Sequence, residues 1–382
     1  LNSVIKDKNK VDVRYAFCFP DTYEIGMSHL GMKILYSVVN RLDYAWCERV
    51  FAPDVDMEEK MRENDIRLWA LESGDPLDEF DMLGFTLQYE LSYSNILNML
   101  DLAGIPLYSK DRTELAPLVV AGGPCACNGE PIADFIDIFM LGDGEETTVQ
   151  LVDLIRKHKK VAQLKGFYVP AFYDVEYKED GTIKSVTNKE TAPEKAVKAI
   201  VEDMDKVYYP ESFVVPSIEV VHDRVTAEIF RGCIRGCRFC QAGFLYRPIR
   251  EKSPEVVEEQ CRTLCESTGY DEISLCSLST SDYTGLQPLL TSMLKWTTEE
   301  NINVALPSLR VDNFSDELME KLTEVRRSSL TFAPEAGTQR LRDAINKNVT
   351  YDDVMKTVNM AFSGGWTAVK LYFMIGLPTE TL

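Results

Sequence analysis

Short apolar runs alternate with amphipathic stretches through the first 164 residues. Residues 11–19, 46–51, 82–86, 117–121 and 136–141 carry the apolar runs and predict five strands, and residues 34–39, 57–63 and 96–102 predict helices between them. Strands alternating with helices predict an α/β unit over 1–164, built on a doubly wound parallel sheet with its ligand crevice at the C-terminal strand ends. The composition shifts between 165 and 222. There, residues 172–177 and 182–187 flank Glu179-Asp-Gly181 and predict a hairpin, while Phe167-Tyr-Val-Pro170 reads as a packing anchor. This stretch is expected to be a connector with no chemistry of its own. From 223 to 382, five strands are predicted at 226–230, 272–276, 303–306, 329–332 and 368–374, separated by helices such as 255–269. A β/α unit repeated at nearly constant spacing predicts a barrel or barrel-like sheet.

The last unit opens on Arg231-Gly-Cys-Ile-Arg-Gly-Cys-Arg-Phe-Cys-Gln-Ala-Gly243, which sets Cys233, Cys237 and Cys240 at C-x3-C-x2-C spacing with no fourth cysteine nearby. Three thiolates can hold three corners of a four-iron, four-sulfur cube and leave one iron open, whereas electron-transfer clusters usually take four cysteines. A structural zinc also wants four ligands. Gly232 and Gly236 let the backbone curl around a bulky inorganic core. Arg231, Arg235 and Arg238 supply positive charge beside the thiolates. Zinc and core packing are the alternative readings of the loop. Cys18, Cys47, Cys125 and Cys127 read as small buried hydrophobes, and Cys261 and Cys265, one helical turn apart, read as core packing.

The cysteine loop resembles the radical S-adenosylmethionine (SAM) signature, with Phe239 at its aromatic position. The resemblance implies a 4Fe-4S cluster whose open iron is chelated by the amino and carboxylate groups of SAM. It also implies reductive cleavage of the sulfonium to methionine and a 5′-deoxyadenosyl radical, chemistry that belongs to the cofactors. Radical SAM cores resemble a partial, six-unit barrel, so the chain is expected to be a piece of a longer protein that stops after the fifth strand. The implied SAM contacts lie at the strand ends. Ser277 and Ser279, in Ser277-Leu-Ser-Thr-Ser-Asp282, occupy the slot of the methionine-amino contact. Ser308 and Arg310 follow the third strand, and the Arg310 fork suits a carboxylate, either of the ligand or of Asp312. Glu335 stands where the family contacts the ribose, or else caps the helix near Gln339; Gly376 falls in the family's turn near the adenine.

The turns of the first unit, Asp21-Thr-Tyr-Glu-Ile-Gly26, Gly122-Gly-Pro124 and Gly142-Asp-Gly-Glu145, together resemble the cobalamin-binding-like domain fused before the barrel in cobalamin-type radical SAM proteins. The contacts this implies are Asp21, Tyr23, Gly26, Gly122, Gly123, Gly142 and Gly144. One departure stands out. Tyr23 fills the slot of the cobalt-ligating histidine, so either cobalt binds without a histidine below it or cobalamin does not bind; His29 nearby is the weaker alternative.

Lys, Arg, Asp and Glu sum to a formal charge of −20, which would repel a phosphate backbone and argues against nonspecific nucleic-acid binding by this portion. No run has the apolar length of a membrane span. Ten cysteines, clustered once and otherwise scattered, fit a reducing cytoplasm. The expected function is therefore a cytoplasmic radical SAM enzyme with a cluster, SAM and cobalamin. Its partner would be a reductant protein such as a flavodoxin or ferredoxin, and radical methylation would be its leading reaction. The alternatives are a cobalamin-independent radical SAM enzyme, such as a methylthiotransferase-like modifier of RNA or protein, and a noncatalytic iron–sulfur module.

Overall fold

The structure, a computed structural model, describes the chain except for residues 113–116, 158–163, 190–191, 314–329 and 382. It divides into two compact units, Leu1–Val201 with Tyr208–His222, and Glu202–Val207 with Asp223–Leu382.

The first unit holds strands β1 (Val13–Phe19), β2 (Ala45–Phe51), β3 (Met82–Thr86), β4 (Leu118–Gly122), β5 (Ile138–Met140) and β6 (Phe167–Tyr168), in the sheet order β2-β1-β3-β4-β5-β6. The first five run parallel. Its helices are α1 (Tyr23–Gly26), α2 (Leu30–Asn40), α3 (Val55–Glu63), α4 (Tyr93–Leu102) and α5 (Gly144–Arg156). The alternation of side chains along a strand explains why β1 reads as one unbroken apolar run. Tyr15 and Phe17 face a layer containing Met32 and Val39 of α2 and Leu151 of α5. Ala16 and Cys18 face the opposite layer, with Ile96, Met99 and Leu100 of α4. Every residue of β1 is accordingly buried.

One strand departs from the expected all-parallel sheet. Phe167–Tyr168 pairs antiparallel to β5 as an edge strand, and Phe167 is buried in the core as the anchoring role required. The hairpin follows as β7 (Tyr173–Tyr177) and β8 (Ile183–Asn188), antiparallel.

In the second unit β9 (Val225–Glu228), β12 (Glu272–Cys276) and β13 (Asn303–Ala305) form a parallel sheet in the order β13-β12-β9. Strands β14 (Leu330–Glu335) and β15 (Val369–Phe373) pair parallel to each other. Between β9 and β12 a short antiparallel ladder of β10 (Phe230–Arg231) and β11 (Arg250–Glu251) closes the cysteine loop, which contains α6 (Ala242–Leu245). Helix α7 (Pro254–Thr268) begins with Ser253 accepting from Val256 N–H and Pro254 in the first turn, and stops at the left-handed Gly269. It is followed by α8 (Leu286–Glu299) and, later, by the helices Gln339–Ala344 and Tyr351–Ser363. Val225, Ala227, Ile273, Leu275 and Val304 are buried, while their alternating neighbours Thr226, Glu228, Ser274 and Cys276 keep some exposure. One face of this sheet is therefore packed and the other is polar and accessible. Among the described residues no helix is long and apolar enough to cross a membrane.

Candidate active site

The cysteine loop leaves β10 and returns to β11 through a tight turn that only glycine allows. Gly232 has φ +96°, and a Cβ there would lie 2.9 Å from the Pro248 carbonyl oxygen and 3.1 Å from that of Tyr246. All three thiols of the loop are free, Cys237 buried and Cys233 and Cys240 partly exposed. The Gly243 N–H donates to Cys240 Sγ at 3.4 Å. Among the described residues no three His, Cys, Asp or Glu side chains converge as a single metal ion would require. The donor set that the loop offers is three soft thiols, the ligand chemistry of an iron–sulfur cluster.

Two sets of bonds fix this loop. Asn346 donates to the Gly236 carbonyl at 2.9 Å, and Arg238 N–H to the Ile345 carbonyl at 3.0 Å. From the other side, Arg235 reaches the loops that follow β12 and β13. Its Nε lies 2.8 Å from Asp282 Oδ2, its Nη2 also bonds Asp282, and its Nη1 lies 3.1 Å from Asp312 Oδ2. Burial works to raise the pKa of Asp282, but bonds from Arg235 and Ser279 outweigh it and hold the carboxyl below its ordinary range.

Of the residues implied as SAM contacts, Ser277, Ser279, Ser308 and Arg310 lie in the bond network of this ion pair. Ser279 Oγ donates to Asp282 at 2.6 Å, and Ser277 Oγ lies 3.0 Å from Thr280 Oγ1. Thr280 N–H donates to the carbonyl of Ser308, a residue with φ +61°. Arg310, whose fork was expected to take a carboxylate of the ligand or of Asp312, grips Asp312 at 2.9 and 3.1 Å and reaches the Lys347 carbonyl at 3.2 Å. Glu335 accepts from Lys347 Nζ at 3.1 Å, and the nearby helix is capped by Thr338 rather than by Glu335. Phe239 is partly exposed, and the Gly376 turn is held by Glu380, which accepts from Gly376 N–H at 2.7 Å. Asp282, Asp312, Asn346 and Lys347 organise the site. The sequence offers Asp312 as a partner for Arg310, whereas the roles of Asn346 and Lys347, which lie at no predicted strand end, are not legible in it.

In the first unit the expected turns answer to the chain's own packing. Gly26 faces the Phe51 ring, and Tyr23 meets that ring edge-on at 5.2 Å between centroids. Asp21 accepts from Thr22 N–H. Gly122 accepts from Leu87 N–H at 2.6 Å, and a Cβ on Gly123 would lie 2.8 Å from the Leu87 carbonyl oxygen. A Cβ on Gly142 would lie 2.0 Å from the Ala199 carbonyl oxygen, and one on Gly144 would lie 3.2 Å from Leu35. His29 Nδ1 accepts from Met32 N–H and caps α2. Near the ends of β1 and β3 the apolar side chains Ile25, Tyr89 and Leu91 are exposed, the last 82% accessible, with the carboxylate Glu90 exposed between the latter two.

Of the remaining cysteines Cys18, Cys47, Cys125, Cys261 and Cys265 are buried as packing residues, Cys276 is partly exposed, and Cys127, expected to be buried, is exposed. Burial pushes up the thiol pKa of Cys18, Cys47 and Cys261, and that of Cys125, Cys265 and Cys276 to about 11.

Residues 227–382 match the radical SAM superfamily, and residues 31–170 match the N-terminal region of radical SAM proteins. The chain belongs to the radical SAM superfamily. It is an enzyme of that family, which works with a 4Fe-4S cluster and SAM. An uncharacterized protein of Methanocaldococcus jannaschii is 29% identical over 96% of this chain and 70% of its own length. An uncharacterized methyltransferase of Pyrococcus horikoshii is 24% identical over 69% of this chain, which spans 55% of that relative. The fold is shared with TsrM of Kitasatospora setae, a radical SAM methyltransferase solved with cobalamin and a [4Fe-4S] cluster bound. The TM-score is 0.65 at 12% identity, over 96% of this chain and 70% of that one. At that identity the likeness is one of fold.

Proposed function

We propose that this radical SAM chain cleaves SAM reductively at a cluster held by Cys233, Cys237 and Cys240, and that it uses cobalamin for methyl transfer to an unactivated carbon. When bound, the cluster and SAM supply the reductive cleavage, and cobalamin supplies a methyl carrier. The observation that carries the reading is the three-thiol loop, pinned by Arg235 to the strand-end loops that hold Ser277, Ser279 and Ser308. The chain's residues hold and orient. Gly232 and Gly236 let the loop wrap, Arg235 sets its distance from the strand ends, and the polar face of β9 and β12 supplies a wet floor.

Arg310 is already occupied by Asp312, so it acts on SAM through the rigidity of the Asp312 loop rather than as a carboxylate clamp. Cobalamin would rest on the apolar lip of Ile25, Tyr89 and Leu91. Its cobalt would have no histidine from the Tyr23 slot, and none from His29, whose Nδ1 is committed to the α2 cap. A cytoplasmic setting and a one-electron donor protein follow from the same chemistry. The second reading is a cobalamin-independent radical SAM enzyme, favoured by Gly123 and Gly142 serving the chain's own packing.

The test is anaerobic incubation of the purified protein with SAM and a chemical reductant, with 5′-deoxyadenosine read by mass spectrometry. The parent should form it and Cys237→Ala should not; turnover in that variant would sink the proposal. Cobalt near one per chain after growth with cobalamin selects the first reading, and iron without cobalt selects the second.

A further inference from the structure

The proposed use of SAM, on which this inference rests, places a buried cation beside the implied ribose contact. Lys347 is 9% exposed, and its Nζ lies 3.1 Å from Glu335 Oε1. Its neighbours Asn346 and Asn348 are both left-handed, with φ +56° and +52°, a conformation that asparagine tolerates better than most residues with a Cβ. Each part of this short segment is tied to another element. The Asn346 amide donates to the carbonyl of Gly236, which immediately precedes Cys237, and Arg310 donates to the Lys347 carbonyl. Lys347 N–H donates to the Arg342 carbonyl at 2.9 Å, and Arg342 Nε to the Val349 carbonyl at 2.8 Å. The ammonium is thus carried by a backbone fixed to the cysteine loop on one side and to the loop after β13 on another.

Glu335 has the marks of a side chain aimed by its surroundings. It ends β14 with φ +66°, a left-handed conformation that an L side chain adopts only at a cost, and the register against β15 shifts between Phe332 and Glu335. An irregularity of that kind turns a strand-end side chain in a new direction. Glu335 Oε1 is taken by Lys347, whereas Oε2 accepts from no described residue. A carboxylate held at one oxygen by a buried ammonium, with the other left to accept, suits a pair of hydroxyls.

We propose that Lys347 is a positioning residue for the ribose of SAM: by fixing one oxygen of Glu335 it presents the other to the ribose hydroxyls, in register with the cysteine loop to which its own backbone is joined. Lys347 acts through Glu335 and not on the ligand. Without the ammonium the carboxylate swings and carries an unbalanced charge in a poorly solvated place, so its preference for a hydroxyl-bearing sugar is lost.

The test measures equilibrium binding to the whole chain with its cluster reconstituted and no reductant added. The probes are SAM and its 2′-deoxyribosyl analogue. The parent should favour SAM by about tenfold, the effect of one hydroxyl bonded to a carboxylate. Lys347→Met should lose most of that preference, and Lys347→Arg, which keeps a charged donor, should retain it. Adding Lys347→Met to Glu335→Gln should change neither affinity beyond what Glu335→Gln does alone. This pair also decides the matter where Lys347→Met alone does not fold, since it strands no carboxylate. An undiminished preference in Lys347→Met overturns the inference, as does an equal weakening of both probes, the signature of a merely structural role, or a further loss in the double variant. A parent that binds neither probe overturns instead the reading on which the inference stands.

Discussion

Arg235 and Asp282, 47 residues apart, are joined by two bonds from one guanidinium to one carboxylate, with Nε 2.8 Å from Oδ2. The pair ties the loop that carries the cluster cysteines to the loop that follows β12. Because Asp282 is nearly buried and Asp312 shares the same guanidinium, removing the cation strands two carboxylates in a poorly solvated place.

Arg235→Gln should therefore lower stability by about 3 kcal/mol, read from urea unfolding. In the iron-loaded protein it should also lower the cluster's reduction potential, since a positive charge beside the thiolates is lost. Arg235→Lys should keep the potential closer to the parent's while losing the bidentate grip. Equal potentials in the Gln variant and the parent would show that Arg235 does not feel the cluster.

Gly142 and Gly181 both have positive φ, at +97° and +79°, but only Gly142 is crowded. A Cβ there would overlap the Ala199 carbonyl, whereas one on Gly181 meets nothing within 4 Å. Gly181→Ala should cost about 1 kcal/mol, the left-handed penalty alone. Gly142→Ala should cost clearly more, because the 199 segment has to move. Thermal unfolding of the two variants side by side decides this; equal shifts would mean that the turn is looser than the bonds Ala199 makes to Leu141 and Asp143 imply.

Burial lowers the pKa of His29 to about 4, with a bond that the imidazole makes to Gln88 opposing it and Lys33 adding to it. The unfolded chain binds the proton near 6.5, so between pH 6.5 and 4 it takes up more protons than the folded one. The contribution is fully present above 6.5 and fades as pH falls toward 4. His29→Asn keeps a capping acceptor for α2 and removes the titration. The parent should lose roughly 2 kcal/mol more than this variant between pH 7.5 and 4.5 in urea titrations. Parallel pH curves for the two proteins would show the imidazole to be solvated in the folded state.

The sequence carried the elements whose cause is local. The run of β1 is apolar because both faces of that strand are covered, and the spacing of Cys233, Cys237 and Cys240 is itself the chemistry. Helix α7 was expected over 255–269 and forms at Pro254–Thr268, with Ser253 capping its start. Partners distant along the chain were not legible. Nothing near Gly142 says that Ala199 will close on it, and Arg310 has two plausible carboxylate partners until the fold sets Asp312 against it. Arg235 appeared as one arginine among three; its reach across 47 and 77 residues to Asp282 and Asp312 exists only once the strands are side by side. The antiparallel edge of Phe167–Tyr168 was missed because two residues carry no periodicity.

The most direct test of the central claim is the electron paramagnetic resonance signal of the reduced protein, with iron quantified, recorded with and without SAM. About four irons per chain and a signal that changes on adding SAM are expected, both lost when Cys233, Cys237 and Cys240 are replaced together by Ala. A full complement of iron whose signal ignores SAM, or iron that survives the triple replacement, would contradict a three-cysteine cluster with an open site.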